Sequence, residues 1–212
     1  MYYRTILLFL VLVLILSGCR GSNLRPEEVL KTMEGVDQYT TEAIMQVKNN
    51  KSVFIYNMRQ YYKKRDKLRI EFLDKDGRID QTIVYNDKQC ALFHKNVKKP
   101  FIRDNFDDSK EYISFLGEFL RNYRFDEEAY IRLEKEGEEE LYVLRCNIER
   151  ENPYFKYAEL YADVKRAIPQ KLIIYGDDDS KNIEVIYENF KINQDIDDTI
   201  FDIYYKNINW ST

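Results

Sequence analysis

Histidine is almost missing from this chain of 212 residues; His94 is the only one. A zinc site built on several histidines is thereby excluded, and a histidine-based triad has one position to rest on. Cys90 shares a strand face with His94, but four residues at about 3.3 Å each put the two about 13 Å apart, too far to share a metal. Glycine (7) and proline (4) are scarce, and no Gly-rich stretch of the phosphate-cradling kind occurs. Three cysteines are weak ground for a disulfide framework. The apolar run Ile6 to Leu16 is shorter than the roughly 20 residues a membrane-spanning helix needs.

What is abundant is aromatic. Eighteen tyrosines and twelve phenylalanines point to a folded, β-rich chain. The apolar run follows Met1-Tyr2-Tyr3-Arg4 and ends at Leu16-Ser17-Gly18-Cys19, the layout of a secretory signal. Its end resembles the lipobox of bacterial lipoproteins. That resemblance implies cleavage after residue 18, with Cys19 as the lipidated first residue of the mature chain. Acyl chains contribute about 0.8 kcal/mol per buried CH₂, so two or three hold a protein at a bilayer. Residues 20–25 read as a tether, and 26–212 are long enough for one domain. Outside the cytoplasm Cys90 and Cys146 are permitted a disulfide; in a reducing setting they are small buried residues.

Loss of the first 18 residues removes Arg4 and takes the formal charge from −4 to −5, which gives no support to nucleic-acid binding. The charge is unevenly placed. Lys51 to Arg103 holds 14 basic and 6 acidic residues, whereas Asp104 to Asp202 holds 13 basic and 26 acidic. Such polarity can steer a partner or orient self-association, or simply give two solvated faces.

Pro26-Glu27-Glu28 opens a helix with stripe Val29, Leu30, Met33 and a stop at Gly35. Strands follow. Thr41 to Lys48 and Ser52 to Tyr62 flank the turn Asn49-Asn50. Leu68, Ile70 and Phe72 alternate with charged neighbours. Asp76-Gly77 and Asn86-Asp87 lead into Ile79 to Tyr85 and Gln89 to His94. Asp108 with Glu111 has the form of a capping box for a helix over Ser109 to Tyr123, striped by Ile113, Leu116 and Leu120 and widened by Phe115 and Phe119. Further strands are expected around Ala129–Glu134, Tyr142–Ile148, Lys156–Asp163, Lys171–Tyr175 and Ile183–Tyr187. About ten antiparallel strands and two helices make a mainly β (α+β) fold, a curved sheet wrapping a helix.

Tyr161-Ala162-Asp163, Ile168-Pro169-Gln170-Lys171-Leu172, Tyr175, Tyr187-Glu188-Asn189-Phe190-Lys191-Ile192-Asn193, Ile196-Asp197 and Phe201 stand in order. They resemble the closing strands of the LolA/LolB-type lipoprotein-carrier fold, an unclosed β-barrel covered by helices. Tyr62 to Glu71 and Ile83-Val84-Tyr85-Asn86 fit its earlier strands. With a lipid anchor, this pattern resembles the GerS-type germination lipoproteins of spore-forming anaerobes. That resemblance implies a non-catalytic partner of a zinc-dependent N-acetylmuramoyl-L-alanine amidase that makes muramic-δ-lactam in spore cortex. The carriers themselves imply an alternative, a module holding an acyl chain or lipoprotein tail. An apolar cavity of roughly 300 Å³ or more would favour it, and a concave face filled by Phe115, Leu116, Phe119 and Leu120 would oppose it.

No bond-making group stands out. Asp177-Asp178-Asp179-Ser180 lacks the spaced ligands of a calcium loop and reads as a hairpin turn. No carboxylate pair suggests a glycosidase, and no cofactor is implied. Lys95, Lys98, Lys99 and Arg103 beside Pro100-Phe101 could dock an acidic partner, anionic lipid or wall polymer, or serve as a solubilising edge. An open sheet edge would also support a homodimer.

Overall fold

In the computed structural model the described residues are 23–49, 51–64, 67–86, 89–104, 109–149 and 152–204. The leader and Cys19 lie outside them, as do Asn50, Asp87 and Asp108 of the expected turns and cap. Helix α1 (Pro26–Glu34) begins as its sequence requires. The Arg25 N–H donates to Glu28 Oε2 at 2.8 Å, Pro26 takes a position that needs no donor, and Gly35 caps the end.

Eleven strands follow: β1 (Gln38–Lys48), β2 (Val53–Lys63), β3 (Lys67–Leu73), β4 (Ile79–Asn86), β5 (Gln89–His94), β6 (Phe101–Arg103), β7 (Tyr130–Glu136), β8 (Glu139–Asn147), β9 (Tyr157–Asp163), β10 (Pro169–Tyr175) and β11 (Lys181–Ile192). A 3₁₀ turn (Tyr112–Ser114) and helix α2 (Leu116–Phe125) separate β6 from β7, and a second 3₁₀ turn spans Asp198–Phe201. One antiparallel sheet holds them all, in the order β6-β5-β4-β3-β2-β1-β11-β10-β9-β8-β7. It is an unclosed barrel with helices.

The topology is two meanders. The chain lays down β1 to β6 outward in one direction, then crosses through α2 to the far flank. From there it returns inward, until β11 pairs with β1 from Tyr39↔Ile192 to Val47↔Ile183. The ends of the fold thus meet mid-sheet, and the middle of the chain supplies both edges.

Alternation decides the faces. Met45, Met58, Ile70, Ile83, Leu144, Leu160, Leu172 and Val185 point to the concave side and form one core with Phe115, Leu116 and Phe119. A buried polar network fixes the helix there. Tyr39 donates to Gln60 Oε1 (3.3 Å) and accepts from the Leu116 N–H (3.1 Å). Gln60 Nε2 donates to Ser114 Oγ (2.8 Å), and Tyr187 donates to the Ser114 carbonyl (2.7 Å). Because β2 and β11 hold Ser114 while β1 holds the Leu116 N–H, the helix does not run from Ser109 as the spacing suggests. Phe115 is extended (ψ 139°), α2 starts at Leu116, and it continues to Phe125.

Part of the convex face has its own cover. Ile196, Phe201 and Ile203 pack on Ile79, Val84, Ala91 and Phe93. Arg69 Nη1 donates to the Ile200 carbonyl (3.0 Å) while its other nitrogens hold Glu71 Oε1 (2.7 and 2.9 Å). Lys63 and Lys67 both reach Asp198, at 2.6 and 3.1 Å.

Candidate functional site

The concave face is the first candidate, and it is full. Phe115, Leu116 and Phe119 are buried and Leu120 packs against the same core. Beside it lies a cleft of about 240 Å³ between α1, α2 and the ends of β2 and β3, with Met33, Tyr62, Leu68 and Leu120 among its walls. Its rim is ionic. Arg121 pairs with Glu118 (2.7 Å), Arg124 with Glu34 (3.2 Å) and Lys64 with Asp37 (2.6 Å). A charge-rimmed notch of that size does not match the apolar cavity that an acyl chain requires.

The groups considered for chemistry stay separate. His94 Nδ1 accepts from the Asn96 N–H (3.2 Å), and Nε2 lies 3.8 Å from Asp80. Cys90 and Cys146 are buried free thiols on β5 and β8, with seven strands between them in the sheet order, so no Cys90–Cys146 disulfide is formed in this structure. Burial pushes their thiols up, to about 11 for Cys90 and about 12 for Cys146, where Asp126 and Glu118 add to the shift. Asp178 accepts from the Ser180 N–H (3.1 Å) and from the Ser180 hydroxyl within a hairpin turn, with Asp179 at φ 58°. Among the described residues no cluster of three or more His, Cys, Asp or Glu is placed to hold a metal.

The surface is more differentiated. The strand order maps the uneven charge onto space, with β2 to β6 on one flank and β7 to β11 on the other. On the acidic flank Glu159 is held internally. Glu159 Oε1 accepts from Arg132 (3.0 Å), and Glu159 Oε2 accepts from Tyr161 (3.1 Å) and Tyr175 (3.3 Å). Burial, with the Glu159 charge beside them, raises both phenols.

On the basic flank the set expected to act together divides. Lys95 is held between Asp80 (2.7 Å) and Asp74 (3.3 Å), which raise its ammonium, so it belongs to the scaffold. Lys98, Lys99 and Arg103 are exposed and form no ion pair among the described residues. They surround Phe101, which sequence reasoning placed in a loop. It is instead the first residue of β6, paired to Leu92. Three residues are too few to show alternation, so nothing local signalled that strand.

The described chain enters the fold beside β8 and β9, where the Leu24 N–H donates to the Val164 carbonyl (2.7 Å) and Tyr142 donates to the Leu24 carbonyl (2.7 Å). No helix among the described residues is long and apolar enough to cross a membrane.

The family described as sporulation protein YdcC-like matches residues 2–201. The chain belongs to that family. No curated protein matches the YdcC-like chain. Solved structures are similar to it. An uncharacterised conserved protein from Thermus thermophilus is 12% identical, with a TM-score of 0.53 over 82% of this chain and 91% of that one. A LolA superfamily protein, NE2245 from Nitrosomonas europaea, is 13% identical (TM-score 0.45; 84% and 98% covered). A chain from the structure of the CwlD amidase of Clostridioides difficile in complex with the GerS lipoprotein is 23% identical (TM-score 0.49; 82% and 100% covered). The YdcC-like chain is a sporulation-family protein built on an unclosed antiparallel barrel.

Proposed function

We propose that this YdcC-like chain is an extracytoplasmic lipoprotein, anchored through Cys19, that serves without catalysis of its own as partner to a cortex-modifying N-acetylmuramoyl-L-alanine amidase in spore formation and germination. The observation that carries the reading is the filled concave face. Phe115, Leu116 and Phe119 occupy the space that a carrier would leave for cargo, so the work of the fold falls to its outer surface. The sporulation family supplies the setting, and the resemblance to GerS-type lipoproteins suggests the kind of partner.

The test has three parts. A strain lacking the gene should form cortex depleted in muramic-δ-lactam, and wild-type cortex would sink the proposal. The epitope-tagged chain should co-purify with the amidase from sporulating cells. Cys19→Ser should move the protein out of the membrane fraction and abolish palmitate labelling, and membrane retention by that variant would refute the anchor.

A further inference from the structure

The two free edges of the sheet are built differently. On β7 Arg132 holds Glu134 (2.7 Å) and Glu159 (3.0 Å), and Glu136 holds Lys171 (2.8 Å). On β6 Arg103 has no ion pair among the described residues. Phe101 is 66% exposed and Ile102 37%, and Val97 in the preceding loop is 58% exposed. Lys98, Lys99 and Arg103, with no ion pair among the described residues, lie within the same seven-residue stretch. Lys95 is kept out of this cluster by Asp74 and Asp80. On its inner side β6 pairs with β5, from Leu92↔Phe101 to Cys90↔Arg103, and it ends the strand order on the other.

Lysines on an edge discourage stray pairing. Three cations with no ion pair among the described residues, set around exposed apolar side chains, also select. They repel a second copy of the same edge and favour an approaching strand that carries carboxylates. The chain enters the fold next to Val164 and Tyr142, on the opposite flank in strand order, so a tether there leaves β6 to face other molecules. We propose that β6 receives an acidic, extended segment of a partner protein as a twelfth strand. Its carboxylates meet Lys98, Lys99 and Arg103, its apolar side chains lie against Val97 and Phe101, and main-chain hydrogen bonds supply the register. The inference stands whether or not that partner is an amidase.

The test uses the full chain in detergent and two labelled ten-residue peptides, one alternating glutamate with valine and one alternating lysine with valine. Fluorescence anisotropy should show binding of the acidic peptide only, weakening as salt rises. Hydrogen exchange should slow at residues 101–103 when it binds. The exposed triple variant K98E/K99E/R103E should lower that affinity by about tenfold or more, as three charge contacts of modest size predict. The same variant should gain affinity for the lysine peptide, a readout that a misfolded chain would not give. Equal binding of both peptides by the wild type would overturn the proposal, as would no binding or affinity unchanged in the variant. So would retention on phosphatidylglycerol over phosphatidylcholine vesicles that the reversal abolishes without affecting peptide binding, since the cations would then serve a membrane. Self-association of the wild type that the reversal abolishes in the same selective way would overturn it too, in favour of a contact between copies.

Discussion

Gly117, the second residue of α2, lies close against the sheet. A methyl group there would sit 2.8 Å from Tyr62 Cε2, 3.0 Å from Cζ and 3.1 Å from the hydroxyl. The Tyr62 ring belongs to an aromatic stack. It stacks on Tyr39 at 5.2 Å, Tyr39 stacks on Phe190 at 4.7 Å, and the Tyr39 hydroxyl is committed to Gln60 and the Leu116 N–H. Overpacking of this kind costs about 1–3 kcal/mol. Alanine in place of helical glycine returns up to about 1 kcal/mol. Gly117→Ala should therefore destabilise the fold by about 1 kcal/mol, a fall in Tm of about 2–4 °C for a chain of this size. Urea denaturation of the two proteins measures it. The mechanism makes a second demand: in a Tyr62→Leu background, where the ring is gone, the same glycine-to-alanine change should become stabilising. A Gly117→Ala protein as stable as its parent, or a loss of stability that persists in the Tyr62→Leu background, would refute the reasoning.

Three further outcomes are expected. Tyr187→Phe removes the phenol donor from the buried Ser114 carbonyl and should cost about 1–3 kcal/mol in the same assay, loosening α2 without touching an apolar contact. The Asp198 carboxyl is lowered by hydrogen bonds from Lys63 and then Lys67, so the unfolded chain binds its proton more readily than the native one; stability is kept above the ordinary carboxylate range and lost as pH falls through it, and Asp198→Asn should flatten that acid limb in pH-dependent thermal melts. Neither Cys90 nor Cys146 should react with a thiol reagent at neutral pH while folded, because burial holds both as thiols; both should react on unfolding without a reductant, and only one or none would mean that a disulfide or another modification had formed.

Much of the strand content was legible residue by residue. Leu68, Ile70 and Phe72 read as a strand face because side chains alternate every two residues, and Asp76-Gly77 read as a turn because glycine takes positive φ freely (78° here). Pro26 and Glu28 announced α1 through capping chemistry confined to four residues. The start of α2 was misplaced for an equally physical reason. The spacing of Ile113, Leu116 and Leu120 is helical, but the hydrogen bonds that break the helix at Phe115 come from Tyr39, Gln60 and Tyr187, 55 to 76 residues away along the chain from that position. The cover made by Ile196, Phe201 and Ile203 was likewise visible as apolar residues but not as a lid on the convex face.

Read alone, the order of residues determined which side chains share a face, where the chain turns and how the charge divides between its halves. Each of these depends on neighbours within a few positions. Only the folded chain decided that β11 closes on β1, that β6 and β7 are left as edges, that α2 begins at Leu116, and that Lys95 is bound by Asp74 and Asp80. Those outcomes turn on distances between residues far apart in the chain, and ion pairs and packing respond to distance in space, which local periodicity does not carry.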